Sequence, residues 1–126
     1  MILGLGVDLI EVDRVRAALD HWGDRLVDKL MGPAEASRLP ASLPERALRI
    51  ALAIAGKEAA SKAIGTGWTR GVRWRDVVVD PGPTPSVVLL ARAAEVAREL
   101  GSNTGRTTTF LEIRGNLVLG EVRLLS

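Results

Sequence analysis

The chain has 126 residues, of which 47% are hydrophobic and 25% are charged, and its formal net charge is +2. This balance is typical of globular proteins, and the length suits a single domain spanning residues 1–126. The absence of cysteine excludes disulfides, thiolate metal sites and a cysteine nucleophile, and dispersed basic residues give little support to nucleic-acid binding. With no recognisable secretory signal and no apolar run long enough for a membrane span, we expect a soluble, cytoplasmic protein.

The first third of the chain predicts one strand followed by helix. Residues 2–10 form a short apolar run, which predicts a buried strand that Asp8 interrupts. Over residues 13–30 apolar side chains recur at three- and four-residue steps, which predicts a helix that Gly23 bends or breaks. A short helical turn is expected at residues 34–38.

Residues 45–64 give the clearest helix of the sequence. Alanine recurs at every fourth position, and such a ridge of small side chains lets a helix pack closely on a sheet or another helix. The ridge consists of Ala47, Ala51, Ala55, Ala59 and Ala63. Glycine is the usual residue after a helix end, so Gly65-Thr66-Gly67 is expected to stop this helix.

The second half of the chain predicts four strands and one helix. The last two strands are joined at Arg114-Gly115-Asn116, which indicates a hairpin. Because runs of strands are separated from helices, we predict an α+β fold with a mostly antiparallel sheet. In chain order the predicted elements are strands near 72–79 and at 85–90, a helix at 91–100, and strands at 106–114 and 117–125.

Two carboxylates are candidates for a cation site. Asp8 lies inside an apolar strand, where a carboxylate is costly to bury unless it is paired or binds a cation, although a turn or cap role is an equal alternative. Glu58 and Lys62 share a helix face, and a surface ion pair is the simplest interpretation of those two residues alone. If Asp8 and Glu58 converge, they suit Mg²⁺, which takes one or two protein carboxylates and also binds substrate phosphates.

Cationic and backbone groups near Glu58 would complete a site for a phosphate-rich substrate. Lys57 and Lys62 would lie beside the phosphates as mobile charges. The backbone N–H groups of Gly65-Thr66-Gly67 would face an anion. Together these groups predict a metal-assisted site.

Two motifs resemble those of the holo-acyl-carrier-protein synthases. GVDLIEVDRV, residues 6–15, is similar to the family pattern G-[IV]-D-[IL]-x-E-[IV]-x-R-[IV]. KEAASKAIGTG, residues 57–67, is similar to the second family pattern, K-E-A-x-x-K-A-x-G-T-G. Either motif alone is weak, whereas both in this order, about fifty residues apart as in the family, are a strong indication. Weaker similarity extends over roughly the whole chain.

The resemblance implies the 4'-phosphopantetheinyl transferase fold, assembled as a homotrimer with active sites between subunits. It implies Mg²⁺-dependent transfer of 4'-phosphopantetheine from coenzyme A to a serine of an apo acyl carrier protein, a step of fatty acid biosynthesis. Asp8 and Glu58 would hold the metal, and Glu58 would accept the serine proton directly or through a metal-bound water. Asp8, Glu58 and Lys62 are therefore the predicted catalytic residues.

The same resemblance assigns binding residues. Lys62 would bind phosphate, with Lys57 and Arg49 as further coenzyme A contacts, and Gly65-Thr66-Gly67 would line the coenzyme A groove. The carrier protein's acidic helix would meet basic residues that match two positions of the family, Arg14 and Arg25.

Two departures from the family pattern leave an alternative open. Phe110-Leu111-Glu112-Ile113 stands where the family has Ser-x-Ser-His, and Ala53 stands where it has arginine. Arg49, one turn earlier, would partly replace that arginine, and Glu112 is either a solvent-facing strand residue or a substitute polar group. The only histidine, His21, is expected at the surface. The alternative function is a catalytically degenerate family member that serves as a non-enzymatic binding or assembly module.

Overall fold

A 21-residue helix lying across a three-stranded antiparallel sheet organises the fold. The computed structural model describes residues 1–126. The large sheet has the strand order β1-β5-β4, and β2 and β3 form a separate antiparallel pair. The elements are β1 (Ile2–Glu11), α1 (Val12–Trp22), α2 (Asp24–Leu30), α3 (Pro33–Ala36), α4 (Leu43–Ala63), β2 (Val77–Asp80), β3 (Ser86–Leu89), α5 (Ala91–Glu99), β4 (Thr107–Arg114) and β5 (Leu117–Leu125).

The predicted α+β class and the antiparallel strand pairing are confirmed, with one local error. Residues 72–76 are not strand, because Trp74–Asp76 forms a 3-10 turn and β2 begins only at Val77. The Asp76 carboxylate accepts a hydrogen bond from the backbone N–H of Arg73 at 2.9 Å. This local side-chain bond replaces a strand ladder, which is the usual competition between short acidic side chains and regular structure.

The contact between α4 and the large sheet is a seam of glycine against alanine. A Cβ atom on Gly4 would lie 1.9 Å from the Ala63 carbonyl oxygen, and one on Gly6 would lie 1.8 Å from that of Ala59. Two strand residues rise about 6.6 Å and four helix residues rise about 6 Å, so the two patterns stay matched along the seam. The predicted alanine ridge therefore packs on the sheet, and β1 runs antiparallel to α4 in a fixed register.

The opposite side of α4 is also covered. Gly56 is packed against the side chain of Val79 on β2, and 26 buried hydrophobic residues form one core cluster around the helix. In the segment between α4 and β2, the rings of Trp68 and Trp74 stack with centroids 3.9 Å apart. No helix combines the length and the apolar character needed to cross a membrane.

One face of the large sheet has no element packed on it. The strand alternation of β1 turns Gly6 and Asp8 toward α4, and it turns their neighbours to the other side. We call this side the outer sheet face. Its apolar side chains are 46–59% exposed and comprise Leu5, Val7 and Leu9 of β1 and Phe110 of β4.

Candidate active site

Asp8 and Lys62 form the contact at the centre of the candidate site. The Lys62 ammonium donates to Asp8 Oδ1 at 2.9 Å and to the Val7 carbonyl oxygen at 3.0 Å. The Asp8 side chain is 17% exposed and that of Lys62 is 49% exposed. Lys62 therefore pairs with the strand carboxylate rather than with Glu58, contrary to the simplest interpretation of its spacing.

The position of Glu58 follows from the register of the seam and from helix spacing. Asp8 pairs across the sheet with Gly120, whose Cβ position would lie 2.7 Å from the Ala55 carbonyl oxygen, so Asp8 is level with that turn of α4. Glu58 follows Ala55 by three residues and shares a helix face with Lys62. Its carboxylate is half-buried and has no hydrogen-bond or ion-pair partner within the protein. The structure thus places Lys62 against Asp8, and helix spacing puts Glu58 on the same side of α4 as Lys62.

The donor set decides which metal this place suits. The structure has no group of three or more histidine, cysteine or acidic side chains placed to hold a metal ion. Two carboxylates on a partly open surface suit Mg²⁺, which keeps several waters and completes its octahedron with substrate phosphates. Asp8 already holds a cationic group on one oxygen, which shows that this carboxylate is accessible to positive charge.

Lys57 is not part of this surface. Its side chain is 0% exposed, and its ammonium donates to Glu35 Oε1 at 2.8 Å and to the carbonyl oxygens of Trp74 and Val77. Burial lowers the pKa of Lys57 from its ordinary value, while the hydrogen bond and negative charge of Glu35 oppose that shift. The placement of Lys57 near substrate phosphates is therefore wrong for the folded chain.

Glu35 is the residue that the sequence reasoning missed. Its second carboxylate oxygen accepts a hydrogen bond from the backbone N–H of Val79 at 3.2 Å, so Glu35 and Lys57 join α3, α4 and β2. The signal was present in the sequence, because Lys57 lies among Ala53, Gly56 and Ala60 on a face made of small residues. A lysine in such a position needs a buried acidic partner. We call these two residues and the backbone groups they bind the buried Lys57 cluster.

The backbone of Gly65-Thr66-Gly67 does not offer amides to an anion. The N–H of Gly65 donates to Lys62 O at 3.0 Å, and the N–H groups of Thr66 and Gly67 both donate to Ser61 O at 3.2 Å. Gly65 and Gly67 have φ of +79° and +55°, conformations in which glycine is favoured. The segment is thus the cap that ends α4, as its glycines predict, and the predicted anion-binding amides are a wrong assignment.

Arg49 lies away from the three clustered residues. It precedes Glu58 by nine positions, and at 100° per residue this puts it on the opposite side of α4. There it lines a small cavity with Ala53, Arg38 and the buried Glu35. Arg49 therefore makes no contact with the Asp8 carboxylate.

Arg14 and Arg25 lie on either side of one apolar surface. Arg14 borders a groove of about 320 Å³ whose floor includes Leu26 and Ile54, the residue one turn before Glu58. Arg25 lies 5.4 Å from the ring centroid of Trp22, and these two residues line a second groove of about 370 Å³ that also contains Leu26. We call this continuous surface the α1–α2 face.

The strand segment that departs from the family pattern carries no free polar group. Glu112 accepts a hydrogen bond from Arg114 Nε at 2.8 Å, so it forms a surface ion pair on β4. Leu111 packs against the core, and Phe110 and Ile113 are 50% exposed. The Glu112 side chain is 34% exposed beside Arg114, and the predicted surface position of His21 is confirmed.

Comparison with known proteins defines the class to which this fold and site belong. The family model of the 4'-phosphopantetheinyl transferase superfamily matches residues 4–114. The holo-[acyl-carrier-protein] synthase of Acidithiobacillus ferrooxidans is 41% identical over 103 residues, which are 80% of each chain. The chain therefore belongs to the 4'-phosphopantetheinyl transferase superfamily, and within it to the holo-[acyl-carrier-protein] synthase family.

Solved structures agree with this assignment. The holo-ACP-synthase of Plasmodium yoelii has a TM-score of 0.82 and 22% identity, with 98% of this chain and 94% of that chain covered. A Bacillus anthracis holo-(acyl-carrier-protein) synthase, solved in complex with CoA (3',5'-ADP), has a TM-score of 0.72 and 25% identity and covers 98% and 96% of the two chains. The fold class predicted from the two sequence motifs is thus confirmed.

Proposed function

We propose that this chain transfers 4'-phosphopantetheine from coenzyme A to a serine of an apo acyl carrier protein and that the reaction requires Mg²⁺. The observation that carries the proposal is the contact of Lys62 with Asp8, and Glu58 lies on the same face of α4 as Lys62. The Bacillus anthracis relative binds coenzyme A, which supports the choice of donor.

Each of the three residues has a role in the transfer. Asp8 and Glu58 would hold Mg²⁺, which would neutralise the charge that grows on the pyrophosphate oxygens. Lys62 binds a phosphate oxygen through its ammonium. Glu58, whose carboxylate has no protein partner, accepts the proton of the attacking serine hydroxyl. The serine oxygen bonds to the β-phosphorus, the bond from phosphorus to the bridging oxygen breaks, and 3',5'-ADP leaves with that oxygen.

The α1–α2 face is the proposed docking surface for the carrier protein. Arg14 and Arg25 supply positive charge on both sides of an apolar strip that includes Leu26 and Ile54. An acidic amphipathic helix complements such a surface, because its charges meet the arginines while its apolar side fills the grooves. Ile54 lies one turn from Glu58, so a helix docked here presents its serine close to the proposed base.

The outer sheet face is the proposed contact between subunits of a homotrimer. Leu5, Val7 and Leu9 expose an apolar row on β1 that a monomer would leave in water, and Phe110 adds an exposed ring on β4, on the far side of Glu121. Other copies of the same sheet are the proposed occupants, in keeping with the subunit arrangement that the family resemblance implies. Light scattering tests this: Val7→Asp should give monomers, and a monomeric wild-type protein would contradict the trimer.

We place the activity in the cytoplasm, where coenzyme A meets carrier proteins.

The transfer itself is tested by mass spectrometry of a carrier protein. Incubation of an apo acyl carrier protein with the enzyme, coenzyme A and Mg²⁺ should raise its mass by one phosphopantetheine. Omission of Mg²⁺ should prevent the shift. The absence of a mass increase with several carrier proteins would contradict the proposed function.

A second candidate function is a non-enzymatic binding or assembly module of the same fold. Two observations favour it: Lys57 and Arg49 both lie away from the candidate site, and the strand at residues 110–113 provides no replacement polar group. Calorimetry with coenzyme A, with and without Mg²⁺, separates the candidates. An assembly module would form the trimer and release no heat of binding, whereas an enzyme would bind coenzyme A in a metal-dependent way.

A further inference from the structure

Lys62 is held beside Asp8 by two acceptors of different kinds. One is the carboxylate oxygen of Asp8, and the other is the carbonyl oxygen of the preceding residue, Val7. A lysine ammonium has three donors, so the bond to Val7 can persist when the bond to Asp8 is broken. Since half of the Lys62 side chain is exposed, its terminal carbons can rotate without repacking the core.

The Asp8 oxygen that Lys62 contacts is also an oxygen that a divalent cation needs. We propose that Lys62 is an internal competitor for the metal at Asp8 and that metal binding transfers Lys62 from Asp8 to the substrate phosphates. This inference rests on the proposed function, because it takes Asp8 and Glu58 as the metal-binding pair. It adds a coupling between the metal and the coenzyme A that neither the fold nor the three roles above require.

The charges at the site explain why the exchange matters. Asp8, Glu58 and Lys62 together carry a single net negative charge, which repels a pyrophosphate. Addition of one divalent cation changes the net charge of the site from −1 to +1, and a positively charged site attracts the pyrophosphate. The partly exposed Lys62–Asp8 ion pair is weak enough for a divalent ion to displace, whereas the buried pair of Lys57 and Glu35 is not accessible to such an ion.

The proposed movement of Lys62 from Asp8 to a phosphate predicts that metal binding and coenzyme A binding strengthen each other. If metal binding frees Lys62 for a phosphate, the metal raises the affinity for coenzyme A, and coenzyme A raises the affinity for the metal by the same factor. Part of this coupling passes through Lys62, and the remainder comes from direct attraction between metal and phosphate. Removal of the Lys62 ammonium should therefore have two opposite effects, tighter binding of the metal alone and weaker coupling between metal and coenzyme A.

The first test is a titration of the full chain with Mg²⁺ alone, followed by calorimetry at 0.15 M salt. Lys62→Gln should bind Mg²⁺ about two- to fivefold more tightly than the wild type, the range expected when a partly exposed ion pair no longer competes. Arg14→Gln is the matched control, because it removes the same charge from the groove that contains Ile54 and leaves the Asp8 contact intact. Equal affinity in Lys62→Gln and the wild type, or an equal gain in Arg14→Gln, would overturn the proposal.

The second test measures coenzyme A affinity with and without Mg²⁺ in the same proteins. The ratio of the two affinities should be smaller in Lys62→Gln than in the wild type, and an unchanged ratio would contradict the exchange. Asp8→Asn and Glu58→Gln separate this failure from failure of the proposed function. If both variants bind Mg²⁺ as the wild type does, the metal assignment itself is wrong. If both variants lose Mg²⁺ binding and Lys62→Gln binds Mg²⁺ no more tightly than the wild type, only the proposed exchange is wrong.

Discussion

The two lysines of the second motif lie five positions apart on α4 and occupy opposite environments. Lys57 is 0% exposed and is bound by Glu35 and two backbone carbonyl groups, whereas Lys62 is 49% exposed and is bound by Asp8 and Val7. A helix that is packed on both sides imposes this difference, since five residues rotate the side chain by about 140°. Two lysines of one motif can therefore differ completely in burial and in partners, according to the side of the helix they occupy.

The largest effect, on the rate of transfer, is expected from a substitution on the helix face of the exposed Lys62. Glu58→Gln removes the proposed base and one metal ligand while it keeps the size of the side chain, so transfer should fall by about 10²–10⁴-fold. Because the Glu58 carboxylate has no protein partner, urea unfolding should show almost the same midpoint as the wild type. Initial rates of carrier-protein modification measure the change. A fully active Glu58→Gln would show that the base lies elsewhere.

A substitution of the buried Lys57 should instead lower the stability of the protein. Lys57→Met removes one member of a buried ion pair and leaves Glu35 charged, so the free energy of unfolding should fall by about 3–5 kcal/mol. Denaturant unfolding measures this loss. Adding Glu35→Gln keeps an acceptor for the Val79 N–H and removes the unpaired charge, so the double variant should be more stable than the sum of the single variants predicts. Additive losses would show that the two groups are not coupled.

The seam that separates the two sides can be tested with one methyl group. A Cβ on Gly6 would lie 1.8 Å from the Ala59 carbonyl oxygen, so Gly6→Ala must displace β1 from α4 and should cost more than about 2 kcal/mol of stability. Gly32→Ala is the control, because Gly32 has φ of −74° and no heavy atom within 4 Å of its Cβ position. Thermal unfolding that is equally affected in both variants would contradict the seam.

The smallest effect belongs to a polar network that is exposed on both partners. Arg92 on α5 donates to Glu95 at 3.1 Å and to Glu99 at 2.9 Å, and its hydrogen bond is the main cause that lowers the pKa of Glu99 from its ordinary value. This contribution to stability is present above the ordinary pKa of a glutamate and is lost as the pH falls through the lowered pKa of Glu99.

Glu99→Gln should therefore be slightly less stable than the wild type at neutral pH, and the two proteins should converge in strong acid. Urea midpoints measured from neutral pH downward, in low and moderate salt, give the comparison. A gap that stays constant at all pH values would mean that the charge of Glu99 contributes nothing.

The sequence predicted most of the elements because their signals are local. The alanine ridge, the helix cap at Gly65-Thr66-Gly67 and the hairpin at Gly115 each depend on a few neighbouring residues, and the structure contains all three. The strand near residues 72–79 was predicted too long, because the bond between Asp76 and the Arg73 N–H is invisible to a pattern of alternating residues.

The site was predicted in part for a related reason. The two motifs and their separation predict that Asp8 and Lys62 lie close together, and the structure contains their contact. The partner of Lys57 did not follow, because Glu35 is 22 positions away and only tertiary packing brings it to α4. The partners of the Thr66 and Gly67 amides did not follow either, because both amides donate to the Ser61 carbonyl oxygen only once α4 has ended in its observed conformation.

The chain has three tryptophans and no tyrosine, and their positions give the molecule two separate optical reporters. Trp68 and Trp74 stack on each other, and the Trp74 carbonyl binds Lys57, so their coupled near-ultraviolet dichroism follows the integrity of the buried Lys57 cluster. Trp22 stands apart under the Arg25 guanidinium, at a surface that a docking protein would cover. Emission from Trp22 can therefore follow partner association while the stacked pair records, in the same sample and without any added label, whether the interior has stayed folded.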